Sequence, residues 1–114
     1  MTDPATTLRT DTIRSLNDDL RTGLNGGSVV LTTAIAALAS EVRTKIVEAV
    51  KNYNAFDAGN DPYGEHDFGS LVVDGNAVFF KIDYYDRDLQ FHSPNPADPT
   101  VTHRVLTLML AEDY

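Results

Sequence analysis

The sequence predicts an α+β domain in which a small antiparallel sheet of about three strands is covered by helices. One observation is a hairpin signal, Asp-Gly between two apolar, β-rich runs within residues 69–85. The other is that flanking segments carry apolar residues at helical spacing, which gives the order α-β-α-β-β-α. A length of 114 residues with 42% hydrophobic residues fits one core. We expect a single domain over residues 8–114, after a flexible N-terminus at residues 1–7.

The first predicted helix runs from about Leu8 to Leu24, where apolar side chains recur near helical spacing. Gly26 and Gly27 follow directly, and glycine at this place is typical of a helix C-terminal stop. The β-branched run SVVLT at residues 28–32 then predicts a short strand.

Two further helices are predicted. The second begins at Ser40 with Glu41, and its apolar stripe comprises Val42, Ile46, Ala49, Val50 and Tyr53. The last runs from about Pro99 to Glu112, because Asp98 is a suitable N-cap and proline suits the first helical position. Its apolar face comprises Val101, Val105, Leu108 and Met109.

The hairpin is the best-marked element, with GSLVV at residues 69–73 and AVFFKIDYY at residues 77–85 on either side of DGN. Successive side chains of a strand point to opposite faces. The uncharged set, which we expect to face the core, comprises Val78, Phe80, Ile82 and Tyr84. The opposite set, which we expect to be partly solvated, comprises Phe79, Lys81, Asp83 and Tyr85.

Cysteine is absent, which excludes disulfides, thiolate zinc sites and a cysteine nucleophile. The N-terminal residues MTDPATTLRT lack the basic and apolar regions of a secretory signal. The longest run of small apolar residues, AIAALA at residues 34–39, is too short to span a bilayer. We therefore expect a cytoplasmic protein without a membrane partner.

The net charge of −8 is concentrated in one part of the chain. Residues 57–88 carry eight acids against Lys81 and Arg87, a net charge of −6, whereas residues 1–56 carry six acids and six bases. Such a field repels phosphates and attracts basic surfaces. The charge pattern therefore disfavours direct nucleic-acid binding and favours a basic protein partner or a bound cation.

Three segments carry a family resemblance: NDPYGEHDFGSL at residues 60–71, FFKIDYYD at residues 79–86 and SPNPADPTVTHRVLTLMLAEDY at residues 93–114. Together they resemble a proteobacterial domain of unknown function, whose members are short, single-domain cytoplasmic proteins often found on plasmids, prophages and other mobile elements. The likeness covers roughly residues 12–114. The resemblance implies no activity, cofactor or catalytic residue. It does imply a context in which small proteins often inhibit host defence, including CRISPR interference.

The chemically richest loop gathers Asp61, Glu65, His66 and Asp67. A metal site is one interpretation, completed by Asp83 or Asp86, although the spacing matches no EF-hand or HExxH pattern. A Glu65–His66 acid–base pair is another, although strand alternation would point His66 away from its acidic neighbours. The remaining interpretations are a turn in which aspartates bond their own backbone, and a contact surface for a partner. We assign no cofactor, metal ligand or catalytic residue.

The favoured hypothesis is a small acidic, non-enzymatic inhibitor that docks on a basic, nucleic-acid-binding surface of a CRISPR or other defence complex subunit. The predicted partner-binding residues are Asp57, Asp61, Glu65, Asp67, Asp83, Tyr85, Asp86 and Asp88. Tyr85 is included because tyrosine buries a large area at low entropic cost in interfaces. One alternative is a metal-dependent or acid–base enzyme that uses the GEHD loop at residues 64–67. Another is a homodimer formed through an exposed sheet edge or the aromatic strand face.

Overall fold

The structure, a computed structural model, describes residues 3–114. Its elements are α1 (Pro4–Gly23), β1 (Gly27–Leu31), α2 (Thr33–Ala36), α3 (Ser40–Lys51), β2 (Phe68–Val73), β3 (Asn76–Tyr85), β4 (His103–Leu110) and a final 3₁₀ turn (Ala111–Asp113). The predicted α+β class is confirmed. No helix within residues 3–114 is long and apolar enough to cross a membrane.

One sheet of four strands, in the order β1-β4-β3-β2, organises the domain. The β2–β3 and β3–β4 pairs are antiparallel, whereas β1 runs parallel to β4. The sheet is therefore mixed and has one strand more than the three predicted. The additional strand is β4, which occupies the centre of the sheet together with β3.

The helix predicted from Pro99 to Glu112 is wrong, because residues 103–110 form β4. Arg104, Leu106 and Leu108 alternate along β4 and are buried. β4 pairs with β1 on one side and with β3 on the other. β-branched residues within this segment also favour a strand over a helix. Asp98 caps no helix, because its carboxylate accepts hydrogen bonds from the amide and the hydroxyl of Thr100 within a turn.

The hairpin is confirmed. Asp74 and Gly75 both have positive φ, 49° and 80°, as the tight turn between β2 and β3 requires. The predicted core set on β3 is buried, with exposed fractions of 9% or less at Val78, Phe80, Ile82 and Tyr84. The opposite set is only partly buried, also as predicted.

The first helix begins earlier than the sequence predicts. Pro4 is its first residue, and the Asp3 side chain caps it by accepting a hydrogen bond from the Ala5 amide at 3.0 Å. Residues 4–7 therefore form its first turn, while residues 1 and 2 lie outside the described residues. The flexibility expected of residues 1–7 stays a prediction. β1 and the start of α3 at Ser40 agree with their predicted positions.

The helices pack on one face of the sheet. The core there joins Ile13 and Leu20 of α1 and Ile46 of α3 to the inward side chains of β3 and β4. Among the described residues no helix covers the other face, where the ring of Phe79 lies 5.2 Å from that of Phe68 and 5.5 Å from that of Tyr114. Polar and charged side chains of β3 lie on the same open face, which places them within reach of solvent.

Candidate functional site

Two parts of the acidic segment at residues 57–88, the loop before β2 and the C-terminal half of β3, lie side by side. A cavity of about 290 Å³ lies there, and its lining residues are Asp67, Ile82, Asp83, Tyr84, Tyr85 and His92. Two backbone hydrogen bonds hold its walls against β3: the Ile82 amide donates to the Asp67 carbonyl at 2.8 Å, and the Ser93 amide donates to the Tyr84 carbonyl at 2.9 Å. We name this cavity the acidic cleft.

Asp67 lies in the wall of the acidic cleft with a partly buried side chain. Burial raises the pKa of Asp67, and the negative charges of Glu65, Asp61 and Asp83 raise it further, against the lowering effect of its own backbone amide. Among residues 3–114, no lysine or arginine lies within ion-pair distance of this carboxylate. The ionised form of Asp67 is therefore disfavoured, and a bound cation would favour it.

Asp83 and Tyr85 contribute the open-face side of the acidic cleft. The Nζ atom of Lys81 lies 3.1 Å from Asp83 Oδ2, and both side chains are more than a third exposed. Exposed ion pairs of this kind contribute little to stability because water screens them. A cation from a partner can therefore replace Lys81 beside Asp83 with little loss of folding free energy.

Five of the eight predicted contact residues lie outside the acidic cleft, namely Asp57, Asp61, Glu65, Asp86 and Asp88. Asp57 accepts hydrogen bonds from the amides two and three residues further on, at 2.8 and 3.0 Å. Asp86 accepts one from the Gln90 amide at 3.0 Å. Asp88 is exposed on the turn after β3. Asp57 and Asp86 thus hold turns, and the structure brings only Asp67, Asp83 and Tyr85 of the predicted set into the cleft.

The loop around His66 does not continue β2 in an extended conformation. His66 has a φ of 57°, so the strand alternation predicted for residues 65–67 is wrong. Its amide donates to the Asp61 carboxylate at 3.2 Å, and its Nδ1 lies 2.9 Å from Asp18 Oδ1 on α1. The imidazole also stacks on Phe56, with ring centroids 3.9 Å apart. Asp61 is accordingly buried, and together with His66 it fastens the loop to α1.

A buried hydrogen-bond network beneath the cleft includes Glu65. The Tyr84 hydroxyl donates to Glu65 Oε1 at 2.8 Å, and Asn17 Nδ2 donates to that hydroxyl at 2.7 Å. Arg104 Nε donates to Asn17 Oδ1 at 2.9 Å, and the guanidinium also donates to the Pro96 carbonyl. Burial raises the pKa of Tyr84 and lowers the pKa of Arg104. Glu65 is therefore a supporting residue of the cleft.

Asn17 and Arg104, the centre of this network, were not predicted from the sequence. Both are buried polar residues at positions where apolar side chains repeat. Asn17 lies between Ile13 and Leu20 on the inward stripe of α1, and Arg104 alternates with the buried Leu106 of β4. A polar residue inside an apolar stripe was the available signal, because buried polar groups require partners.

The polar side chains of the GEHD loop do not point toward one common site. Glu65 bonds Tyr84, whereas His66 bonds Asp18 and the Asp61 carboxylate. Over the part of the chain that the structure describes, no three His, Asp or Glu side chains are placed to hold a metal ion. The loop uses its polar side chains to fix its own conformation.

Comparison with known protein families gives a match between residues 31–113 and the model described as protein of unknown function (DUF3768). The match runs from the end of β1 to the final 3₁₀ turn and includes every residue that lines the acidic cleft. Neither the curated proteins nor the solved structures gave a match to the chain. Since the family model matches well over half of the sequence, the chain belongs to the DUF3768 family.

Proposed function

We propose that the protein is a non-enzymatic binding protein that docks its acidic cleft on a basic, nucleic-acid-binding surface of another protein. The observation that carries this proposal is the environment of Asp67, which lies among other carboxylates with no lysine or arginine beside it in residues 3–114. A partner's arginine or lysine placed in the cleft would replace repulsion between Asp67 and Asp83 with attraction to both.

The charge balance of the wider acidic segment supports the same role. Residues 57–88 contain eight acids, and only Asp74 and Asp83 of them lie within ion-pair distance of a lysine or arginine in the described structure. Because internal pairs offset so little of this charge, the segment projects a negative field that steers a basic partner toward it. The carboxylates would then occupy the positions on the partner's basic surface at which nucleic-acid phosphates otherwise bind.

The proposal includes the biological setting. In this setting the protein is encoded by a mobile element and is of the anti-CRISPR type. It acts in the cytoplasm on a subunit of a CRISPR or other defence complex, where its acidic domain competes with DNA or RNA for a basic groove. The resemblance of NDPYGEHDFGSL and FFKIDYYD to short proteins of plasmids and prophages supports this setting.

A binding role is proposed in preference to catalysis, because the residues of the enzymatic alternative already have structural partners. Glu65 accepts from Tyr84, and the imidazole of His66 contacts Asp18 and stacks on Phe56. Moving either side chain to a substrate would break contacts that hold the loop.

Affinity for a purified basic subunit of a CRISPR effector complex, measured at several salt concentrations, tests the proposal. We expect saturable binding that weakens steeply with salt and is displaced by the subunit's own nucleic acid. The double variant Asp67→Asn/Asp83→Asn should bind about tenfold more weakly or worse, equivalent to about 1.4 kcal/mol. Asp19→Asn, at an exposed position of α1, is the matched control.

Absence of binding at low salt would overturn the proposal for this class of partner. Equal losses in the double variant and the Asp19→Asn control would overturn the assignment of the cleft. Circular dichroism of each variant separates both results from unfolding.

A further inference from the structure

A groove runs between β1 and α3, at the edge of the sheet opposite to β2. Two adjoining cavities form it, of about 310 Å³ and about 250 Å³. Leu31 of β1 and Val47 of α3 line both cavities, so the two are continuous at these side chains. The groove has an apolar floor to which Val29, Leu106 and Leu108 contribute.

The backbone of β1 beside this groove is free to accept another strand. β1 is an edge strand, and its one neighbour in the sheet is β4. The Thr32 amide donates to the Leu108 carbonyl at 3.1 Å, so the backbone groups of Thr32 point toward β4. Along a strand, the N–H and C=O groups of successive residues point alternately to one side and the other. The N–H and C=O groups of Val29 and Leu31 therefore point away from β4. Edge strands with free groups and without proline or lysine are templates for strand addition.

Apolar side chains at the groove are exposed. Leu24 is 42% exposed and Val29 is 39% exposed, although Val29 lies on the same face of the sheet as the buried Leu106. An apolar side chain entering the groove would remove this exposed apolar area from water, which favours binding. The floor of the groove thus favours an apolar guest.

The charge of the groove is opposite to that of the whole protein. Arg43 and Lys51 line it together with one acid, Glu48, which lies 3.9 Å from Lys51, whereas the chain carries a net charge of −8. Arg21 also lines it, but this side chain is only 4% exposed and is paired with Asp18. In the described residues Arg43 donates to two backbone carbonyls and has no carboxylate within ion-pair distance. A partner segment that carries carboxylates complements these cations.

We propose that this groove binds an extended, acidic peptide segment of another protein as an additional strand beside β1. Alternate apolar side chains of the segment would enter between β1 and α3, and its carboxylates would lie near Arg43 and Lys51. The site is separate from the acidic cleft, because it uses the other edge of the sheet and the opposite charge.

Fluorescence anisotropy with a labelled synthetic peptide tests the proposal. The probe alternates valine and threonine between flanking glutamates, and its controls replace the glutamates with lysine or the threonines with proline. We expect saturable binding of the glutamate peptide and at least about tenfold weaker binding of both controls, since one loses charge complementarity and the other loses backbone donors.

Matched protein variants locate the site. Val29→Asp in β1 should abolish binding, whereas Val72→Asp, at a 72% exposed position of the other edge strand, should leave it unchanged. Thermal unfolding of Val29→Asp checks its folding. Lys51→Gln does not change β1. It should weaken binding of the glutamate peptide a few-fold and leave unchanged the binding of a peptide in which glutamine replaces the glutamates.

Amide hydrogen exchange provides the direct readout. Saturating peptide should slow exchange at Val29 and Leu31 and leave the outward amides of Ser70 and Val72 unchanged. The proposal is overturned by absence of saturable binding, by protection at β2 in place of β1, or by equal effects of the two aspartate variants. Protection of β1 by self-association without peptide would also overturn it, because the occupant would then be a second copy.

Discussion

The hydroxyl of Tyr84 donates to Glu65 Oε1 at 2.8 Å and accepts from Asn17 Nδ2 at 2.7 Å. This buried contact joins the acidic loop to β3 and α1 at one point. Glu65 is thereby fixed behind the acidic cleft, where its charge raises the pKa of Asp67. Glu65, which the sequence predicted to contact a partner, thus bonds Tyr84 and affects the cleft through its charge on Asp67.

Tyr84→Phe should destabilise the fold by about 1–3 kcal/mol, because it leaves the amide of Asn17 and the carboxylate of Glu65 without their shared partner. Urea unfolding followed by circular dichroism measures this change. Tyr85→Phe, on the open face of the same strand, is the control and should stay within about 0.5 kcal/mol of the parent. Equal effects of the two variants would contradict the assignment of the network.

Asp67→Asn should stabilise the protein at neutral pH. The folded-state pKa of Asp67 is raised above its ordinary value of 3.8, so folding is favoured while the group is protonated and this advantage is lost as pH rises through the folded pKa. The gain of the variant should therefore be absent below pH 3.8, grow above it, and become constant once Asp67 is ionised in the folded state. Unfolding free energies of both proteins across this pH range measure it, and a gain that is constant with pH would count against the account.

Arg21→Met should cost about 2–4 kcal/mol, because Arg21 Nη1 donates to the carbonyls of Val50, Lys51 and Tyr53 at the end of α3. Loss of the guanidinium leaves these C-terminal carbonyls without their side-chain donor. Arg9→Met on the exposed side of α1 is the control for loss of a charge. Thermal unfolding that shows similar losses for both would disprove the capping role.

Gly69→Ala should destabilise the hairpin by about 1–3 kcal/mol, because a Cβ at this position of β2 would overlap the ring of Phe80 and lie 2.9 Å from Tyr53. Ser70→Ala, at the neighbouring exposed position, should change stability little. Chemical denaturation of the two variants provides the measurement. An unperturbed Gly69→Ala protein would mean that this strand packs less closely than the structure indicates.

The hairpin and the first two main helices were predictable because their signals are local. Asp74-Gly75 between β-rich runs needs no distant partner to form a turn. β4 was not predictable in this way, since its residues Val105, Leu108 and Met109 also fit helical spacing. Its alternation is concealed by Arg104, whose burial depends on Asn17, 87 residues away in sequence.

The candidate site was predictable as a region and not as a residue set. The charge count identifies an acidic segment in the sequence, but it cannot separate exposed acids from those with structural partners. That separation depends on contacts of Asp61 with His66 and of Glu65 with Tyr84, which arise only once the loop packs on α1 and β3. The positive φ of His66 removed the alternation on which the sequence argument relied.

The most direct measurement is an NMR titration of the Asp67 side-chain carboxyl, without and with a saturating arginine-rich peptide that stands in for the basic partner surface. We expect the pKa of Asp67 to lie above 3.8 in the free protein and to fall in the complex. Peptide binding that leaves the Asp67 pKa unaltered would contradict the central claim that the acidic cleft receives a basic partner.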